Sequence, residues 1–163
     1  MKRIISLVLI ATVLCISLSS CVEKAPDFSM LDTNGQRVAL KDFRGKAVVL
    51  NFWASWCPPC KAEMPDFETA YKEYGDRVNF LMVNLTSGSE TVSKAGSYVA
   101  ECGYTFPVYF DIYGEGADAY EIESIPQTYF IDERGVIQAY ATQRIDGEEL
   151  HRAIKILLGE LEK

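Results

Sequence analysis

The chain has 163 residues, and its 23 acidic side chains outnumber 16 Lys and Arg, giving a net charge of −7. That sign excludes a protein that works by neutralising nucleic-acid phosphates, and the length suits one domain with a core of its own. Five cysteines are too few for a disulfide-stapled scaffold, which a chain of this size does not need.

Met1-Lys2-Arg3 lead into an apolar run over residues 4–18. The run is shorter than the about 20 residues of a membrane-spanning helix, and its basic flank is that of a secretory signal. Leu18-Ser19-Ser20-Cys21 resembles the bacterial lipoprotein box, which implies cleavage before Cys21 and a lipid on its sulfur. Several acyl chains, at about 0.8 kcal/mol per buried methylene, make a stable anchor. Losing Lys2 and Arg3 takes the net charge from −7 to −9. The expected plan is a signal peptide over 1–20, a lipidated cysteine and tether over 21–27, and one domain over 28–163.

Residues 28–31 and 36–40 alternate around Asp32-Thr33-Asn34-Gly35, a hairpin signal, and a turn fills 41–46. Residues 47–53 are almost all apolar and β-branched and predict a strand buried on both faces. Met64, Phe67, Tyr71 and Tyr74 recur at helical spacing over 58–74. Proline is tolerated at that helix's start, Pro65 should kink it and Gly75 should end it. A buried strand over 78–85, a helix over 90–102 stopped by Gly103, a strand over 106–110 and a brief helix over 115–120 follow. Strands over 127–131 and 136–142 flank Asp132-Glu133-Arg134-Gly135. The last helix, 147 to about 161, is capped by Asp146 and turns Leu150, Ile154, Leu157, Leu158 and Leu161 inward. The pattern predicts an α/β fold of three layers, with a mixed central sheet and an added N-terminal β-hairpin.

Cys57 and Cys60, in "ASWCPPCK", need a chemical explanation. A tetrahedral zinc site takes four ligands, and outside the pair only Cys102 and the lone His151 remain, so no metal site is expected. Covalent haem attachment needs histidine directly after the second cysteine, where Lys61 stands. A structural disulfide over one helical turn closes a loop too small to constrain the unfolded chain much. A redox pair fits better. Cys57 lies just before the first helical residue, where unpaired amides and the helix dipole stabilise a thiolate, the species that attacks disulfides. Cys57 is then the nucleophile and Cys60, one turn on and deeper, the resolving thiol. Cys102, at a helix end, is expected to be a partly buried small hydrophobe.

"NFWASWCPPCKAEMPDF" at 51–67, with the front hairpin, "GKAVVLNFWASWCPPC", "YTFPVYFD" and "IPQTYFIDERG", resembles the TlpA/ResA type of extracytoplasmic thiol-disulfide oxidoreductase in the thioredoxin superfamily. The likeness covers about residues 26–160. It implies a thioredoxin-like fold, a Cys57–Cys60 dithiol/disulfide cycle that reduces protein disulfides, and no cofactor beyond that pair. It implies that Trp56, Pro58 and Pro59 shape the substrate surface, that Pro126 is the cis-proline facing the pair, and that the backbone of Ile125 pairs with substrate peptide. Thioredoxin has a buried aspartate six residues before its first cysteine; here Asn51 stands there, and Glu90 is the candidate for handling the proton. Implied partners are a membrane dithiol donor and exported substrates such as apocytochrome c or a methionine sulfoxide reductase, met by a lipid-anchored monomer outside the cytoplasmic membrane. Two prolines between the cysteines remove amide donors from the sulfurs, which favours a reducing potential. Alternatives are a disulfide-donating oxidase with the same residues, a thiol peroxidase, which would need threonine where Ala54 stands, and a copper chaperone, whose cysteines are spaced differently.

Overall fold

The structure, a computed structural model, describes residues 23–162. The signal segment and Cys21 lie outside the described residues.

The chain runs β1 (Ser29–Leu31), β2 (Arg37–Ala39), a 3₁₀ turn (Leu40–Phe43), β3 (Ala47–Trp53), α1 (Pro58–Tyr74), β4 (Val78–Asn84), α2 (Val92–Cys102), β5 (Val108–Phe110), α3 (Glu115–Ala119), β6 (Gln127–Ile131), β7 (Ile137–Ala141) and α4 (Gly147–Leu157). The strands form one seven-stranded sheet in the order β2-β1-β5-β4-β3-β6-β7. β3, β4 and β5 are parallel, and β6 lies antiparallel on the other side of β3. β1 joins antiparallel beside β5, so the N-terminal hairpin extends one edge of the sheet. The expected mixed sheet with an added hairpin is what the chain builds.

β3 is buried at all seven positions, because its two sets of alternating side chains meet different layers. Val49 and Trp53 pack with Met64 and Phe67 of α1, Ala95 of α2 and Leu150 and Ile154 of α4. Val48, Leu50 and Phe52 pack on the opposite face with Phe28, Met30, Tyr120 and Tyr129. That second layer is thin. It holds α3, the 3₁₀ turn and the start of the described chain, and aromatic rings fill it: Tyr120 lies 4.7 Å from Tyr129 and 5.3 Å from Phe52 between centroids.

The segment read as a tether is partly built into the domain. Lys24 bridges Val136 in antiparallel fashion, Ile137 N–H donates to Glu23 O at 2.9 Å, and Ala25 is buried. α2 starts two residues later than expected, with Thr91 as its N-cap, since the Thr91 hydroxyl accepts from Lys94 N–H at 3.1 Å. Glu90 therefore precedes the helix. α4 ends at Leu157, because Gly159 takes the left-handed conformation at φ +73°. Leu161 is left exposed instead of facing inward. α1 runs unbroken through Pro65.

Candidate active site

β3 ends at Trp53, and four residues later α1 begins with Cys57 as its N-cap. The local sequence explains this geometry. Pro58 and Pro59 at the first two helical positions fix φ in the helical range and have no amide hydrogen to waste. Of the unpaired amides at this helix start, the one that reaches the sulfur belongs to Cys60, whose N–H donates to Cys57 Sγ at 3.2 Å. Lys61 N–H is turned to Cys57 O at 3.1 Å.

The two sulfurs are joined in a disulfide, with Cα atoms 5.3 Å apart. Cys57 retains 2% of its surface and Cys60 none. Of the two, Cys57 is the one with any exposed surface, and Cys60 faces the core. Trp56 stands beside them with 60% of its surface exposed, and Pro58 and Pro59 are exposed as well.

Register brings a distant segment to the same place. Phe52 pairs with Gln127, so the residues before β6 lie alongside the β3–α1 turn. The Ile125–Pro126 peptide is cis, and the carbonyl oxygen of Ile125 lies 3.7 Å from Cys57 Sγ. Ile125 is half-buried and Pro126 buried. Trp56, Cys57, Pro58, Pro59, Cys60, Ile125 and Pro126 thus meet at one end of the sheet.

Glu90 is near this cluster and fully committed. Its Oε1 accepts from Ser55 N–H and from Asn84 Nδ2, both at 2.8 Å, and its Oε2 accepts from Ser55 Oγ at 2.7 Å. It ties the end of β4 to the loop that delivers Cys57.

A different acid lies under the pair. Glu63, three residues after Cys60 on α1, has no exposed surface. Its Oε1 accepts from Asn51 Nδ2 at 2.8 Å and its Oε2 from Ile145 N–H at 3.1 Å. Burial drives its pKa up from the ordinary carboxylate value to about 7, against the lowering effect of those two hydrogen bonds and of the Arg144 charge. A carboxyl that titrates near neutrality within one helical turn of a thiol is equipped to take and return its proton. The sequence reading passed over Glu63, although the signal was present. Positions 60, 63, 64, 67, 71 and 74 form one helical stripe, and Glu63 is its charged member.

One further position differs from expectation. Cys102 is exposed rather than partly buried, because α2 ends there and Gly103 at φ +70° turns the chain away. His151 is held on α4, its Nδ1 2.7 Å from Gly147 O and its Nε2 3.2 Å from Glu73 Oε2, remote from the cysteines.

The comparisons with known proteins agree with this geometry. Residues 22–140 match the AhpC/TSA family. The thioredoxin-like protein YneN of Bacillus subtilis is 38% identical over 82% of this chain and 78% of its own length. The thiol-disulfide oxidoreductase ResA of Geobacillus kaustophilus is 35% identical over 80% and 74%. Among solved structures, the exposed lipoprotein thioredoxin Etrx1 of Streptococcus pneumoniae superposes with a TM-score of 0.70 at 30% identity, covering 80% of this chain and 99% of that one. The chain belongs to the AhpC/TSA family and is a thioredoxin-like, ResA-like thiol-disulfide oxidoreductase.

Proposed function

We propose that this protein reduces disulfides in exported proteins, outside the cytoplasmic membrane, while held to that membrane by a lipid on Cys21. The observation that carries the direction is the helix start. A strongly oxidising pair owes its potential to a heavily stabilised thiolate in its reduced form. Here Pro58 and Pro59 leave the Cys60 amide as the donor to Cys57 Sγ. Weaker stabilisation of the Cys57 thiolate makes the dithiol the better electron donor.

The cycle runs through the cluster at the end of the sheet. In the reduced form the Cys57 thiolate attacks a substrate disulfide. One substrate sulfur leaves as a thiolate with the electron pair of the broken bond, and a mixed disulfide joins the other to Cys57. Trp56, Pro58 and Pro59 form the surface the substrate meets, and the Ile125 carbonyl beside Cys57 Sγ pairs with its backbone as an added strand. The Cys60 thiol then gives its proton to the Glu63 carboxylate. The resulting thiolate attacks Cys57 Sγ, forms the Cys57–Cys60 bond and releases the second substrate sulfur with its electron pair. A membrane dithiol restores the pair by the reverse exchange. Glu63 takes the proton in preference to Glu90, whose oxygens are both engaged in holding the loop.

The anchor rests on Leu18-Ser19-Ser20-Cys21 and on the likeness to a protein described as an exposed lipoprotein. No helix among the described residues is long and apolar enough to cross a membrane. Apocytochrome c and an oxidised methionine sulfoxide reductase are candidate substrates for a monomer of this kind.

Equilibration with redox buffers tests the direction. A midpoint nearer the roughly −270 mV of thioredoxin than the roughly −120 mV of a strong oxidant is expected, and a value above about −180 mV would favour the disulfide-donating oxidase. A Cys60→Ser variant should accumulate mixed disulfides through Cys57 in cells, and absence of any such adduct would overturn the assignment of nucleophile and resolver. Ala54 stands three residues before Cys57, where a peroxidase of related fold carries threonine, so rapid peroxide consumption is not expected.

A further inference from the structure

Asn51 stands near the middle of β3 on the face turned to α1, and it is wholly buried. Its Nδ2 donates twice, to Glu63 Oε1 at 2.8 Å and to Thr128 Oγ1 at 3.0 Å. Its Oδ1 is buried with no hydrogen-bond partner among the described residues. Thr128 is its register partner in the β3–β6 pair and is equally buried. An amide with one end idle in a dry core is costly, and apolar side chains would pack those two positions without that cost. The sheet nevertheless places Asn51 against the buried carboxyl of Glu63 and Thr128 against Asn51.

An amide and a hydroxyl offer something that neither an apolar nor a charged neighbour does, which is reversibility. With Glu63 ionised, the amide donates to it, as observed. With Glu63 protonated, half a turn of the amide about Cβ–Cγ presents Oδ1 to the carboxylic O–H. The Thr128 hydroxyl, donor and acceptor in one group, serves either orientation. A partner able to serve only one form would leave the carboxyl unsatisfied whenever its proton moved.

Resting on the reading of Glu63 as the proton carrier, we propose that Asn51 and Thr128 are positioning residues for it. Together they form a reversible donor–acceptor pair that keeps the buried carboxyl hydrogen-bonded in both its protonated and its ionised form. The Ile145 N–H donates only and favours the ionised form. The charged groups bearing on Glu63 are Asp66 from its own helix and Arg144 from the β7–α4 connection. β3 faces it with Asn51, which is backed by Thr128 of β6, and neither ionises. The N–H that Asn51 donates lowers the pKa of Glu63, so its loss should push the titration above the present value of about 7.

The test uses full-length protein in detergent, with Cys102→Ser in every sample because that thiol is exposed. Reduced protein is mixed with 5,5′-dithiobis(2-nitrobenzoate) in stopped flow across about pH 5 to 9, spanning the ordinary and raised carboxyl ranges. The first equivalent of thionitrobenzoate reports attack by Cys57 and the second reports resolution by Cys60. The resolution phase of the parent should rise with a midpoint near 7. Asn51→Leu should move that midpoint up by about one pH unit, Thr128→Val should move it by less in the same direction, and Thr128→Ser should restore it. On a Glu63→Gln background, Thr128→Val should cause no further shift.

Thr128→Val titrating like the parent would overturn the inference. So would a Thr128→Val effect that persists without Glu63, since that marks a packing role alone. Should Asn51→Leu fail to fold, the Thr128 pair of variants decides by itself. If Glu63→Gln leaves the midpoint in place, Glu63 is not the proton carrier, and this inference falls with that reading; a lost midpoint in Glu63→Gln beside an unmoved one in Thr128→Val removes the inference alone.

Discussion

Glu63 and Glu90 are both buried acids near the cysteine pair, and their hydrogen-bonded surroundings differ. Glu90 receives three hydrogen bonds, from the Ser55 N–H and hydroxyl and from Asn84 Nδ2, so its carboxylate acts as a fixed staple between β4 and the loop before Cys57. Glu63 receives two and is driven up to about 7 by burial. Glu90→Ala leaves several donors stranded, and hydrogen bonds to a charged group are each worth about 1.5–3 kcal/mol. Chemical denaturation should therefore show a loss of at least about 2 kcal/mol, while the pH midpoint of Cys60 resolution stays where the parent's is. A shifted midpoint would return the proton role to Glu90. The sequence offered Glu90 through a resemblance and hid Glu63 inside an apolar stripe. Reading the charge on that stripe as an anomaly would have found the residue, whereas its partner Ile145, 82 positions away in the chain, and Thr128, which reaches it through Asn51, have no local signal.

Among the elements, α1 and α4 show how strongly caps decide. Cys57 serves as the N-cap of α1 and as the candidate nucleophile, so the same amide that starts the helix contacts the sulfur. α4 begins with a capping box: Asp146 accepts from Glu149 N–H at 2.9 Å, and Glu149 accepts in return from Asp146 N–H at 3.4 Å. Immediately before that cap, Ile145 N–H is committed to Glu63. Asp146→Ala should cost about 1 kcal/mol in thermal or urea unfolding. It should also disturb the Cys60 resolution profile by loosening Ile145, a change absent if the α4 start is independent of the site. The strand and helix cores were readable from periodicity and from Asp146 and Gly103. The ends shifted where a cap set a later start, as Thr91 did for the helix expected from residue 90, or where a glycine adopted positive φ, as Gly159 did.

Across the whole molecule, Glu63 links α1, β3 and the approach to α4, so its ionisation is a property of global stability. Unfolded, it titrates at the ordinary 4.5; folded, at about 7. Between those values the native state binds the extra proton, so stability falls as pH rises through the window and the full cost is present above about 7. Glu68 has the opposite sign. Burial raises its pKa, but the bonds from Thr105, Lys72 and Phe106 outweigh that and hold it below the ordinary value. Its contribution is present at neutral pH and is lost on acidification. Glu63→Gln should therefore gain stability relative to the parent between pH 5 and pH 8, by up to about 3 kcal/mol, and a difference independent of pH would show that Glu63 titrates alike in the folded and unfolded states. The sequence by itself determined the strand–helix order, the three-layer class and the cysteine pair with its two prolines, because these follow from side-chain alternation, helical spacing and local backbone chemistry. Only the tertiary structure decided which acid follows the pair into the core, that residues 24 and 25 are tied to the loop before β7, and that Ile125 lies against Cys57. Burial, strand register and hydrogen-bond partners depend on segments far apart in the chain, and no local pattern encodes them.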